Sequence, residues 1–290
     1  MSTAPRSLHR LITVLGAALL MASCSLLPQK HPIDKDKLEA AIDADMGGAN
    51  TCVVLLDAKT GASLYQYGSP QECMTPLPPC GTFEVPLALI GLDSGVITPQ
   101  TVTKWDQTPQ PVKAWETDAD VTKAFHDDIQ WWWGDLASTI GHDPLSDALH
   151  RFDYGDKSAD GPAKSFWMGL PNGGALDITT DQQARFFKRF YAGQLGLEPA
   201  TTQVVQQLLV REVRDDSRTG RATFSAAEGA CPSNADGSNT VGWAAGRLET
   251  KDHDVIFAAS VNAANAPPGV EIRDKLRDIF ASGGLWPSAG

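Results

Sequence analysis

The stretch Pro79-Cys80-Gly81-Thr82-Phe83-Glu84-Val85-Pro86-Leu87-Ala88-Leu89-Ile90-Gly91-Leu92-Asp93-Ser94-Gly95-Val96-Ile97 decides how this chain is read. A proline-rich approach from Pro76 to Pro79 passes through Gly81-Thr82-Phe83-Glu84 into a strongly apolar helix from Val85 to Leu92. Upstream, Thr51 to Leu56 reads as a buried strand, Asp57-Ala58-Lys59-Thr60-Gly61 as a turn, and Ala62 to Tyr67 as a second strand. Before these, Asp34 to Asp45 places Leu38, Ala41 and Ile42 on one helical face, and Gly47-Gly48 ends the helix. Downstream, the middle third is mostly helical. Thr180-Asp181-Gln182-Gln183 has capping-box form and opens a helix with Phe186, Phe187 and Phe190 on one face. Ala222 to Ala227, Val241 to Leu248 and Val255 to Val261 read as strands, the last two joined by Glu249 to Asp254. Val270 to Phe280 is a closing helix. Strands at both ends around a helical middle predict an α+β fold closed by its terminal elements. There is no internal repeat, low-complexity tract or linker to a second domain.

The 290 residues carry 24 Lys+Arg against 35 Asp+Glu, a formal net charge of -11, with 42% hydrophobic and 20% charged residues. That composition supports an ordinary core and excludes disorder or collagen-like repeats. The acidic balance argues against nucleic acid as a partner, since phosphate binding needs a basic face. At the N-terminus, Arg6 and Arg10 precede an apolar run, Leu11 to Leu20, with no acidic residue before Asp34. Crossing a bilayer takes about 20 helical residues, so the run is too short to span and reads as a cleaved signal, residues 1–23. Met21-Ala22-Ser23-Cys24 resembles the lipobox of bacterial lipoproteins. This resemblance implies cleavage before Cys24, lipidation of its thiol, a tether over 24–32 and a domain over 33–290. Ser25 follows the cysteine where an Asp would signal inner-membrane retention, so the expected address is the periplasm-facing side of the outer membrane. Cys52, Cys73, Cys80 and Cys231 would then sit in an oxidising compartment, where an even count suggests two disulfides with three pairings open.

The quoted stretch resembles the nucleophile segment of class D β-lactamases, P-x-S-T-F-K followed by an apolar helix ending near S/T-G-V/I. Other pieces follow in the family's order. Trp105-Asp106 and Trp115 match its tryptophan stretch, and Arg151-Phe152-Asp153-Tyr154-Gly155-Asp156 resembles R-F-x-Y-G-N. Ser165-Phe166-Trp167 matches the tryptophan that shields the active-site lysine. Ile178 to Phe187 matches I-S-x-x-E-Q, and Gly242-Trp243 to Gly246 resembles the G-W-x-x-G strand after K-T-G. The resemblance, from about Cys52 to Phe280, implies the fold of serine β-lactamases and penicillin-binding transpeptidases. That fold has an antiparallel sheet from both chain ends, flanking helices and a mostly helical middle lobe. It also implies Tyr154 and Trp167 at the cleft. In some relatives on this fold, a disulfide joins the positions of Cys80 and Cys231 beside the active site. That pairing would leave Cys52 to Cys73.

The residues that carry the family's chemistry are the ones that differ. Gly81 stands where the nucleophilic serine should be, and Glu84 replaces the lysine base at i+3. The proton-relaying serine falls at Asp128, counted without gaps from Trp115, with Asp127 one register away. Asp156 replaces the asparagine of Y-G-N. K-T-G maps to Ala227-Glu228-Gly229, which removes the lysine that helps hold a substrate carboxylate. Glu84, Asp128, Asp156 and Glu228 would together repel such a carboxylate. Two unit charges 4 Å apart at an effective dielectric of 20 interact by about 4 kcal/mol, against about 1 kcal/mol for a hydrogen bond. The expected function is therefore a catalytically inactive, membrane-anchored envelope protein that binds a peptidoglycan stem peptide or an envelope protein partner and needs no cofactor. The alternative is an active divergent β-lactamase or peptidoglycan hydrolase using another serine such as Ser94, though Ser94 lacks a lysine at i+3.

Close carboxylates raise one pKa of the pair. Glu84 and Asp128 could thus be a proton-sharing remnant, an amine or cation pocket, or an acid–base pair as in glycosidases. His126-Asp127-Asp128 and Asp252-His253-Asp254 lack metal-binding spacing, and the second suits a hairpin turn, so no metal is expected. Trp131-Trp132-Trp133 are about 100° apart around a helix and cannot all face one core. Either one of them stands at a cleft wall or interface, or the helix is buried on most sides.

Overall fold

The computed structural model describes residues 1, 32–48, 50–169, 171, 174–216 and 220–287. Residues 2–31, which hold the signal segment, Cys24 and nearly all of the tether, lie outside the described residues. Among the described residues no helix is long and apolar enough to cross a membrane.

Among the described residues six strands form one antiparallel sheet: β1 (Thr51–Asp57), β2 (Ser63–Tyr67), β3 (Val210–Asp216), β4 (Gly220–Pro232), β5 (Thr240–Glu249) and β6 (Asp254–Ala263). Their order is β2-β1-β6-β5-β4-β3, so the first strand lies beside the last. The helices are α1 (Lys35–Asp45), α2 (Pro70–Cys73), α3 (Glu84–Asp93), α4 (Val121–His126), α5 (Gln130–Ile140), α6 (His142–Phe152), α7 (Thr180–Tyr191), α8 (Pro199–Leu208) and α9 (Gly269–Ser282). The α+β fold, with a sheet from both chain ends and a helical middle, is thus the one expected from the sequence. The charged edge strand β3 is an element the sequence reading did not anticipate.

Both faces of the sheet are covered, which explains why β1 and β6 read as nearly unbroken apolar runs. Alternate residues serve opposite cores. Val53, Leu55 and Phe257 pack with Leu38, Ile42, Leu276 and Ile279 of α1 and α9. Cys52, Val54, Leu56, Ile256 and Ala258 pack instead against the helical lobe. Helix α7 begins with the capping box between Thr179 and Gln182 and buries Phe186, Phe187 and Phe190. Helix α3 is buried along almost its whole length, Glu84 to Gly91, which accounts for its all-round apolar sequence.

The cysteines pair as Cys52–Cys73 and Cys80–Cys231. Of the three consecutive tryptophans, Trp132 and Trp133 are buried at 1% and 0% exposure. Trp131 is half-buried against that core.

Candidate functional site

A short 3₁₀ turn, Cys80–Phe83, delivers the chain into α3, and every residue of that turn is buried. Its position is fixed from several sides. The Cys80 amide donates to the Trp167 carbonyl at 3.0 Å. The indole Nε1 of Trp243 donates to the Pro78 carbonyl at 2.8 Å. The Cys80–Cys231 disulfide ties the turn to β4. Strand β4 then lies directly on the turn, glycine against glycine. A Cβ on Gly81 would stand 2.7 Å from the Glu228 carbonyl oxygen. One on Gly229 would stand 2.3 Å from the Gly81 nitrogen, and one on Gly269 equally 2.3 Å from the Gly229 nitrogen. Atoms do not approach this closely, so three bare backbones close the seam and a serine at position 81 has no space as the chain stands.

Beside the seam lies a cleft of about 370 Å³ lined by Glu84, Phe125, Asp128, Arg211, Glu228, Gly229, Gly269 and Arg273, among others. Gly81 is not in that lining, because Gly229 stands between it and the cleft. Glu84 is 3% exposed. Burial, followed by the negative charge of Asp128, raises its pKa well above the usual carboxylate range. The Gln130 amide nitrogen donates to Glu84 Oε1 at 3.1 Å and also to Asp128. Asp128 sits at the solvent mouth with φ +51°. Burial raises the Asp128 pKa as well, so both carboxyls of the pair are biased toward the protonated form.

The cleft's charge differs from the sequence expectation in two respects. Glu228 is gripped by Arg273 at 2.6 Å and by Arg211 at 3.3 Å. The Arg211 guanidinium also lies over the Phe125 ring, 5.0 Å from its centroid. Asp156 is elsewhere: its carboxylate accepts from the Ser158 and Asp177 amides and does not line the cleft. Two arginines therefore face the carboxylates that remain, and the four-acid repulsion expected from the sequence is not present. The arginines went unseen because Arg211 belongs to the unanticipated β3 and Arg273 to the outer part of the closing helix. Gln130 and Gly269 carried no signal of their own.

The other predicted site residues are placed as follows. Tyr154 and Trp167 are core residues at 0% and 1% exposure, packed on Phe83 with ring centroids 5.5 Å away in both cases, and neither lines the cleft. Ala227 is fully buried toward the helical lobe. Ser94 lies at the far end of α3 with its hydroxyl donated to the Ile90 carbonyl at 2.7 Å. The hydroxyl beside the nucleophile position, that of Thr82, is buried; it donates to Pro79 and accepts from Gln183 Nε2, each at 2.5 Å. Among the described residues lining the cleft there is no hydroxyl and no lysine. Asp127 pairs with Lys123 at 2.5 Å, and His253 lies in the β5–β6 hairpin turn, where its carbonyl accepts from the Thr250 amide at 2.7 Å.

Residues 51–280 match the family described as penicillin binding protein transpeptidase domain. The chain is similar to beta-lactamase OXA-48 of Klebsiella pneumoniae, 27% identical over 189 residues, covering 63% of this chain and 65% of that protein. It is equally similar to regulatory protein BlaR1 of Bacillus licheniformis, 27% identical over 219 residues, covering 75% of this chain but only 34% of BlaR1. Among solved structures, the class D β-lactamase YbXI from Nostoc superposes with a TM-score of 0.74 at 22% identity, covering 86% of this chain and 98% of that one. The C-terminal domain of the Bacillus licheniformis BlaR penicillin-receptor gives 0.73 at 24% identity, covering 86% and 96%. The sheet order, the buried helix behind Gly81 and these matches lead to one assignment: the chain belongs to the penicillin-binding protein transpeptidase family, with a class D β-lactamase-like fold.

Proposed function

We propose that this protein is a catalytically inactive, lipid-anchored member of its family that binds peptidoglycan stem peptides in the acidic cleft. One observation carries the loss of catalysis: Gly229 and Gly81 are in backbone contact, so the nucleophile position lacks a hydroxyl and is also closed off from the cleft. Covalent acyl transfer needs an exposed nucleophile with a base in reach. Here the base position holds a buried carboxyl whose pKa is raised, in place of an amine. The active-enzyme alternative would need another serine, and Ser94 is tied to its own helix.

The binding role is supported by the chemistry of the Glu84–Asp128 pair. A primary ammonium entering the cleft can neutralise the pair in place of a proton, with both carboxylates ionised around one cation. Stem peptides of peptidoglycan carry free amino groups, while Arg211 and Arg273 supply donors for a carboxylate or amide carbonyl nearby. The BlaR domain is a penicillin-receptor, and the likeness supports a binding use of this fold. Lipid anchoring at Cys24 rests on the lipobox-like Met21-Ala22-Ser23-Cys24.

The test is a pair of assays on the purified protein. Fluorescent penicillin should leave no covalent band, and a chromogenic cephalosporin should not be hydrolysed. An amine-bearing stem peptide should bind, and the same peptide with its amine acetylated should not. A labelled band, or equal binding of both peptides, would defeat the proposal.

A further inference from the structure

Three tryptophans of the helical lobe have spent their polar ends internally. The indole Nε1 of Trp131 donates to the Trp115 carbonyl at 2.7 Å, and that of Trp115 to the Asp127 carbonyl at 3.0 Å. Trp105 Nε1 donates to the Thr108 carbonyl at 2.8 Å. All three rings are only half-buried. Each is therefore fixed in orientation and presents to solvent an apolar face with no hydrogen bond left to give. Trp131 is the odd member of its run, since the helical rotation that sends Trp132 and Trp133 into the core turns it outward.

Trp131 forms one wall of a hollow of about 320 Å³, lined also by Asp106, Gln110, Gln130, Asp135 and Lys164. Lys164 pairs with Asp135 at 2.6 Å. Gly134 lets the Lys164 segment approach α5, because a Cβ there would lie 3.2 Å from the Lys164 Cβ and carbonyl oxygen. The polar lining consists of two carboxylates, two amides, the hydroxyl residue Thr108 and one ammonium. Few ligands match a rigid aromatic face ringed by planar hydrogen-bonding groups. A pyranose does: its C–H face is apolar and its rim is hydroxyls and acylamino groups. An anionic ligand would meet two carboxylates here.

We infer that this hollow is a docking site for a neutral pyranose glycan, such as a chain of N-acetylhexosamines. Trp131 stacks on a sugar face, and Gln110, Gln130 and Asp135 bond its rim. Gln130 also donates to Glu84 and Asp128, so the hollow and the acidic cleft share one side chain. A glycan bearing a short peptide could occupy both at once; that joint placement rests on the stem-peptide reading above, whereas the sugar site does not.

Titration of the full-length protein with chitotetraose, followed by calorimetry and tryptophan fluorescence, tests the site. Saturable binding at sub-millimolar concentration is expected. Trp131→Ala should weaken it at least tenfold, Asp135→Asn several-fold, and Trp131→Phe, which keeps an aromatic face, should retain part of the affinity even if the alanine variant folds poorly. No binding of chitotetraose at millimolar concentration, or full affinity in Asp135→Asn together with either Trp131 variant, would overturn the inference. A sugar-free stem peptide assayed separately reports on the cleft alone, so failure of one site is distinguishable from failure of the other.

Discussion

Gly229 sits so close to Gly81 that a single methyl group on it would fall 2.3 Å from the Gly81 nitrogen. The proposed loss of catalysis therefore rests on a steric argument beside the chemical one. Restoring the warhead by Gly81→Ser with Glu84→Lys should not restore acylation. The added Cβ meets the Glu228 carbonyl, and overpacking of this kind costs about 1–3 kcal/mol. Fluorescent penicillin gels and a melting curve check both halves: no band, and a lower Tm.

The buried acid should make stability depend on pH in a definite direction. Glu84 has a folded pKa raised above its ordinary value of 4.5, first by burial and then by Asp128. Below that value both folded and unfolded chains hold the proton. As pH rises the unfolded chain releases it first, so stability is progressively lost until the folded pKa is passed. Glu84→Gln keeps the shape without the ionisation. It should flatten the fall of Tm with pH above 4.5 and raise the high-pH end of the profile, as read by calorimetry.

The two disulfides should differ in worth. Cys80–Cys231 spans 151 residues and Cys52–Cys73 spans 21. In the chain-entropy account a 15-residue loop contributes about 3 kcal/mol and a 100-residue loop about 4.7 kcal/mol. The Cys80→Ala/Cys231→Ala protein should therefore lose more stability in urea than Cys52→Ala/Cys73→Ala. Equal midpoints would contradict this ranking.

Glu228 and its arginines should behave as a coupled unit. Arg273→Ala leaves a mostly buried carboxylate with Arg211 alone, at 3.3 Å. Losing a hydrogen bond to a charged group costs about 1.5–3 kcal/mol. Glu228→Gln added to Arg273→Ala should recover part of that loss, giving a non-additive double-mutant cycle in chemical denaturation.

Much of this architecture is legible in the residues because both faces of the sheet and all of α3 are buried. Apolar runs at Thr51–Leu56, Val85–Leu92 and Val255–Val261 have no other use. Strand β3 escaped because an edge strand with one neighbour can be charged: Arg214 pairs with Glu212 at 2.5 Å within it, and Arg211 reaches across to Glu228. The site was legible as a set of substitutions at Gly81, Glu84 and Asp128. Its charge balance was not, since Arg211 and Arg273 come from segments far apart in the chain and meet only through tertiary structure. Asp156 misled for a related reason. Its motif fixes a place in the sequence, but the side chain turns back onto the Asp177 amide.

The sheet order has a consequence for how the molecule comes into being. Thr51 stands in register opposite Val261, and the amide of Asp34 donates to the carbonyl of Gly283 at 3.1 Å. A chain emerging N-terminus first from a ribosome or a pore cannot seat its opening strand until almost the last segment has arrived. Until then β1 is matched on one side alone, by β2, and its other edge stays open, so folding is set by this late, long-distance closure.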